Sequence, residues 1–213
     1  MYLLDPLIKP KERPILFSAP MVRALLAGTK TQTRRAIKPQ PDVSIGMGGC
    51  TRLMFKDRQG RDLLNEAVNS PEPHTYLSLC PYGQPGDRLW VRETWDKRAW
   101  TSANPDVAYR ATMNLPLGKF GDRWIPSIHM PRVASRILLE VTGLRIEPLQ
   151  AISEADAMAE GVELWRREEG AQAVPHGYSE RDYYRLLWER INGPGSWDAN
   201  PWVWVVEFQR LKL

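Results

Sequence analysis

No stretch of this 213-residue sequence approaches the ~20 consecutive apolar residues that a membrane-spanning helix needs. The first residues, MYLLDPLIKPKERPIL, also lack the apolar segment of a secretory signal. A cytoplasmic location is therefore expected, with no membrane partner. Cysteine is scarce: Cys50 and Cys80 are the only two. That excludes a disulfide-built scaffold, and a reducing compartment keeps both as thiols. His74 stands near Cys80, but the spacing fits no standard zinc pattern, so no metal site is expected. Charge of one sign is lacking too. Lys and Arg number 29 against 25 Asp and Glu, an excess compatible with an anionic partner but far from a histone-like surface. No repeat is visible.

Against these absences stand nine tryptophans, many for this length. Most are expected in the core or packed on strands, with one or two available to stack on a base. Residues 14–19 (PILFSA) read as a short apolar strand entering a helix. Ser18 can cap that helix, Pro20 suits its first turn, and Met21, Val22, Leu25 and Leu26 form its apolar face. Gly28 stands where a left-handed residue ends a helix. Residues 30–35 then leave it as a turn and a polar, Thr-rich strand.

From about 38 to 84, prolines, glycines and polar runs predict an irregular insertion with a hairpin near Gln59-Gly60. Pro85-Gly86-Asp87 marks a turn before an alternating strand at 88–93. A second insertion, 96–131, holds a strand near 107–110. Residues 136–146 (RILLEVTGLRI) are the clearest strand. Ser153-Glu154-Ala155-Asp156 and Ser179-Glu180-Arg181-Asp182 are capping-box helix starts. The first of these helices ends at Gly161. The second buries Tyr183, Tyr184, Leu187, Trp188 and Ile191 and stops at Gly193. Residues 202–208 read as a buried terminal strand. Strands outnumber helices without alternating with them. That predicts an α+β, mainly β protein: a small barrel with helices packed outside and large loop insertions.

Three places have the composition for chemistry. The first is the run Gly28-Thr29-Lys30-Thr31-Gln32-Thr33-Arg34-Arg35, which a solvated edge strand would explain as well. On the chemical reading, a hydroxyl three residues from a lysine supplies a nucleophile and its base, as in Ser-Lys hydrolases. Lys30 then needs a pKa lowered towards neutrality, and burial with Arg34 and Arg35 nearby would push it down. Positions 30 and 33 of a regular strand face opposite sides, so the pair requires an irregular turn after Gly28 or a bent Lys30 stem. The second place is Glu160, on the last turn of its helix, where the dipole disfavours a carboxylate. It is either exposed at a small cost or compensated by a cation such as Lys30 or Arg35. The third, Gly86-Asp87, reads as a plain turn.

Taken in order, these pieces resemble the ASCH family, which shares the PUA-like barrel fold. The match is closest to small YqfB-type amidohydrolases that remove acyl groups from N(4)-acetylcytidine. Their helix ends in G-x-K-T-x-T-x-R, here Gly28, Lys30, Thr31, Thr33 and Arg35. A G-D-x-L-x-V segment follows, here Gly86, Asp87, Leu89 and Val91, and then an E-V-T strand, Glu140-Val141-Thr142. Ala157 and Glu160 match a helical A-x-x-E in the A-E-G form, and Val205-Val206-Glu207-Phe208 matches the last strand. The chain is then a single domain, 1–213, with additions near 40–84, 96–131 and 163–178, and it looks like the longer ASCH proteins encoded in bacteriophages and prophages. The resemblance implies Thr33 as nucleophile, Lys30 as base and Glu160 as the supporting carboxylate. It implies Arg35, with Arg34 and Thr31, as substrate-binding residues, and it implies no cofactor and no metal. The substrate is a nucleoside or nucleobase of the N(4)-acylcytidine type.

A competing reading makes the chain an RNA- or modified-base-binding module or a ribonuclease, with Lys30, Arg34 and Arg35 on phosphate. A third makes it an interaction protein with a silent pocket and tryptophan-rich contact surfaces. Salt dependence separates the first two, because phosphate-dominated binding weakens steeply as salt rises.

Overall fold

The structure, a computed structural model, describes residues 10–68, 75–101, 104–113, 124–167 and 177–212. The main sheet holds β1 (Glu12–Leu16), β2 (Gln32–Ala36), β6 (Arg88–Arg92), β9 (Leu138–Pro148) and β10 (Trp202–Leu211), in the order β1-β6-β9-β10-β2. β1 runs parallel to β6, and the other neighbours are antiparallel. β10 sits between two partners, and Val203, Trp204, Val205 and Val206 are all buried. An unbroken apolar run is what burial on both faces of a central strand selects. Among the described residues no ladder joins β1 to β2. The fold is thus mixed α/β, mostly sheet with few helices, and no helix among the described residues is long and apolar enough to cross a membrane.

The helices are α1 (Ala19–Ala27), α2 (Glu154–Ala159), α3 (Val162–Trp165) and α4 (Glu180–Asn192), and α3 touches each of the other three. Both capping boxes are present, each serine accepting from the backbone N–H three residues on. Ser18 holds the N-cap position of α1, but its hydroxyl makes no capping bond. α4 buries Tyr184, Leu187 and Trp188, whereas Ile191 is 59% exposed. That residue stands on the last turn of α4, at the rim of a cavity instead of under the helix.

The stretch near 40–84 is not the irregular loop its composition predicts. β3 (Asp42–Ile45), β4 (Thr51–Lys56) and β5 (Asp62–Ala67) form an antiparallel sheet. The hairpin near Gln59-Gly60 is where expected, with Asp57 accepting the N–H groups of Gln59 and Arg61. Alternation along β4 turns Leu53 and Phe55 inward, where both join the main core. β7 (Trp95–Thr101) and β8 (Asn104–Tyr109) form a separate hairpin. Trp95 there packs with Met130 and Ala134 in a second, smaller core. His74, 114–123 and most of 163–178 lie outside the described residues. Cys80 is buried, and burial pushes its thiol up to about 11.

Candidate active site

Two local devices bring Lys30 and Glu160 together. The first is the end of α1, where Gly28 adopts φ 77°. The N–H groups of Thr29 and Lys30 then fold back on the Ala24 carbonyl, and that of Gly28 on Leu25. The chain therefore leaves the helix in a wrapped turn, and β2 begins only at Gln32. Positions 30 and 33 escape strand parity for this reason, and both line one cavity. The second device is the end of α2. Its capping box fixes the start, and Gly161 (φ 77°) turns the chain immediately after Glu160. A Cβ on Gly161 would stand 2.8 Å from Ala24 Cβ and 3.0 Å from Lys30 Cβ. Only glycine lets the two chain ends close. Lys30 and Glu160 pair as an isolated antiparallel bridge, and Thr31 N donates to Ala159 O at 2.8 Å.

Lys30 is 4% exposed and Glu160 3%. Lys30 Nζ donates to Glu160 Oε2 and to the Glu160 carbonyl, each at 2.8 Å. Burial drives the amine's pKa down, the Glu160 charge opposes this, and Arg35 and Arg34 add to the fall; the net direction is downward. A neutral amine has two protons and one lone pair. In that form the two bonds to Glu160 would use both protons and leave the lone pair to accept another. Thr33 Oγ1 makes no hydrogen bond among the described residues and lines the same cavity.

The parity of β2 divides the remaining residues. Gln32 and Arg34 share one face, and both reach Asp156. Arg34, its side chain fully buried, also holds Glu147 and, at 3.3 Å, Glu160 Oε1. It is thus Arg34, not Arg35, that joins Lys30 in compensating Glu160. Burial raises the Asp156 pKa, but hydrogen bonds from Ser153 and Gln32 and the Arg34 charge outweigh it, bringing it to about 2. Arg35, on the opposite face with Thr33, donates from Nη2 to Leu16 O at 2.6 Å and lies over Phe17. Its Nε is buried with no partner. Both arginines expected on substrate line the cavity, but most Arg34 donors are held by carboxylates, whereas Arg35 has a buried Nε without a partner. Thr31 is exposed and is not among the cavity-lining residues; its backbone links α2 to β10.

The cavity holds about 360 Å³, within the range of small-molecule sites. Lys30, Thr33, Arg34, Arg35 and Glu160 are among its polar lining. Phe17 and the α4 residues Tyr184 and Trp188 supply ring surfaces. Burial and the nearby Glu160 hold the Tyr184 phenol well above its ordinary range, so it stays protonated. Sequence reasoning placed Tyr184 and Trp188 in a helix core face and missed their second role. A core stripe and a pocket wall have the same periodicity, so no signal separated them. Gly86-Asp87 is the plain turn expected: Asp87 accepts from the backbone N–H groups of Lys11 and Gln84. No family model, curated protein or solved structure matches this chain.

Proposed function

We propose that the chain is an amidohydrolase of the ASCH type that removes the acyl group from N(4)-acylcytidine-type nucleosides. One observation carries this reading: a buried Lys30 amine, bonded twice to Glu160, shares a cavity with the Thr33 hydroxyl. Arg35, reaching from β2 to the Leu16 carbonyl of β1, supports a PUA-like barrel whose two sheet ends meet through a side chain.

In the mechanism, Thr33 Oγ1 attacks the exocyclic acyl carbon and its proton passes to the Lys30 amine. As the C–N bond breaks, Lys30 returns the proton to the departing nitrogen. Cytidine leaves, and the acyl group remains as an ester on Thr33. Water then attacks the ester, releasing a carboxylic acid and restoring the hydroxyl. Glu160 orients Lys30 through its protons. Arg34, on the other Glu160 oxygen, moderates how strongly that carboxylate holds a proton on the amine. Arg35 steadies the base or the oxyanion.

The competing phosphate-binding reading needs Lys30, Arg34 and Arg35 free together. Lys30 and Arg34 are buried and committed to carboxylates, which favours the hydrolase. Incubation with N(4)-acetylcytidine, followed by ultraviolet absorbance, is expected to show deacylation. Lys30→Met should slow it by about 10²–10⁴-fold, the usual worth of a positioned base, and Thr33→Ala should abolish it. Full rates in both variants would sink the assignment.

A further inference from the structure

A second cavity of about 570 Å³ opens beside the first, and the two share Arg35, Ala36 and Asn192. Its far side comes from the inserted β4–β5 hairpin and the turn after Leu79, parts absent from the minimal pattern of motifs. Its charge is one-sided. Arg35, Lys38, Lys56 and Arg58 line it against a single acid, Asp57. That acid is turned into its own hairpin, where it takes two backbone N–H groups and the Arg61 side chain. Lys56 is paired with Asp42. The Lys38 and Arg58 side chains are exposed and make no hydrogen bond or ion pair among the described residues. The cavity is also lined by Phe55, Trp204 and Tyr82; Phe55 and Trp204 are buried core rings stacked on each other, with centroids 6.2 Å apart.

Exposed cations without a partner at the rim of a cavity suit a phosphate, which takes their charge. Resting on the nucleoside reading of the first cavity, we propose that the second cavity holds the phosphate ester attached to that nucleoside, with Arg35 at the junction and Lys38 and Arg58 on the phosphate. The substrate is then a phosphorylated cytidine, either a mononucleotide or a residue within a single strand.

The test compares three probes: N(4)-acetylcytidine, its 5′-monophosphate, and a short single-stranded RNA carrying one N(4)-acetylcytidine. The chain and its Lys38→Ala/Arg58→Ala variant are assayed for kcat/KM at low and raised salt. The phosphate-bearing probes should exceed the nucleoside by about tenfold for each charge-assisted hydrogen bond at low salt. The double variant should collapse that ratio, and the salt slope for the strand should fall by about 0.7 for each cation removed from a phosphate. A gain already complete with the monophosphate identifies the mononucleotide; a gain confined to the strand identifies the polymer. Equal kcat/KM for all three probes would overturn the second site while leaving the hydrolase intact. If no probe is deacylated, the hydrolase reading fails, and anisotropy of the labelled strand still decides the site. Salt-sensitive binding weakened in the double variant upholds it; binding equal in both proteins overturns it.

Discussion

Lys30 and its neighbours set two expectations at the scale of single residues. Burial lowers the Lys30 pKa from 10.5, with Glu160 as the main opposing influence. A base must be neutral, so the rate should rise with pH through the lowered value and then level. Glu160→Gln keeps an acceptor but removes the opposing charge, so the rising limb should move to lower pH in a pH–kcat/KM profile. An unmoved limb would separate that limb from Lys30. The same depression couples to stability. Between the folded value and 10.5 the unfolded chain holds more proton on Lys30, so the Lys30 contribution to stability should increase with pH across that window. Arg34 and Arg35 adjoin in sequence yet differ in burden. Arg34→Leu takes one cation from three carboxylates, each of which keeps another (Arg145 for Glu147 and Asp156, Lys30 for Glu160), and should cost about 1.5–3 kcal/mol. Arg35→Leu breaks one hydrogen bond at a sheet edge and should cost no more than about 1.5 kcal/mol. Chemical denaturation of the two variants measures the contrast.

Helix α2 is six residues long, too short to persist without its ends, and the site depends on both. Ser153→Ala removes the cap that sets its start and should cost about 0.5–2 kcal/mol. Gly161→Ala forces a side chain into φ 77° and against Ala24 and Lys30. It should lower activity more than its stability loss explains, because one of the two atoms pressed is the Cβ of Lys30, the proposed base. Equal kcat in Gly161→Ala and the parent would count against this close approach. These same ends were legible in the sequence, since Gly28, Ser153, Gly161 and Ser179 act through local backbone geometry. The burial of β2 was not. Its polar residues suited a solvated edge, and β2 is indeed an edge, yet Gln32, Thr33 and Arg34 are buried. The partners that bury Arg34 (Glu147, Asp156 and Glu160) lie more than a hundred residues away. No local pattern encodes that meeting. The inserted sheet was missed for a related reason: β3 is exposed throughout and β5 is half exposed and nowhere fully buried, so that Leu53 and Phe55 of β4 are its only fully buried residues.

Those two residues decide how the added segment belongs to the whole molecule. An appendage would fold or fray separately, and its loss would leave the main sheet unchanged. Leu53 is fully buried within the main core, and Phe55 lies between Tyr76 and Trp204 of β10. The wall of the second cavity is thus anchored on a central strand of the sheet whose edge carries Thr33. Rigidity of one cavity then follows from packing of the other. Leu53→Ala should cost about 2–5 kcal/mol, as expected for a large core side chain replaced by a small one. It should lower a single unfolding transition seen alike by tryptophan fluorescence and far-ultraviolet circular dichroism. The hairpin of β7 and β8 offers the contrast, because Trp95, Met130 and Ala134 form a core of their own. Met130→Ala should loosen that hairpin, seen as faster amide exchange confined to it, and leave the main transition closer to its original midpoint. If Leu53→Ala instead split the unfolding into two steps, the inserted sheet would be an independent unit, and its cavity could not be held rigidly against the first.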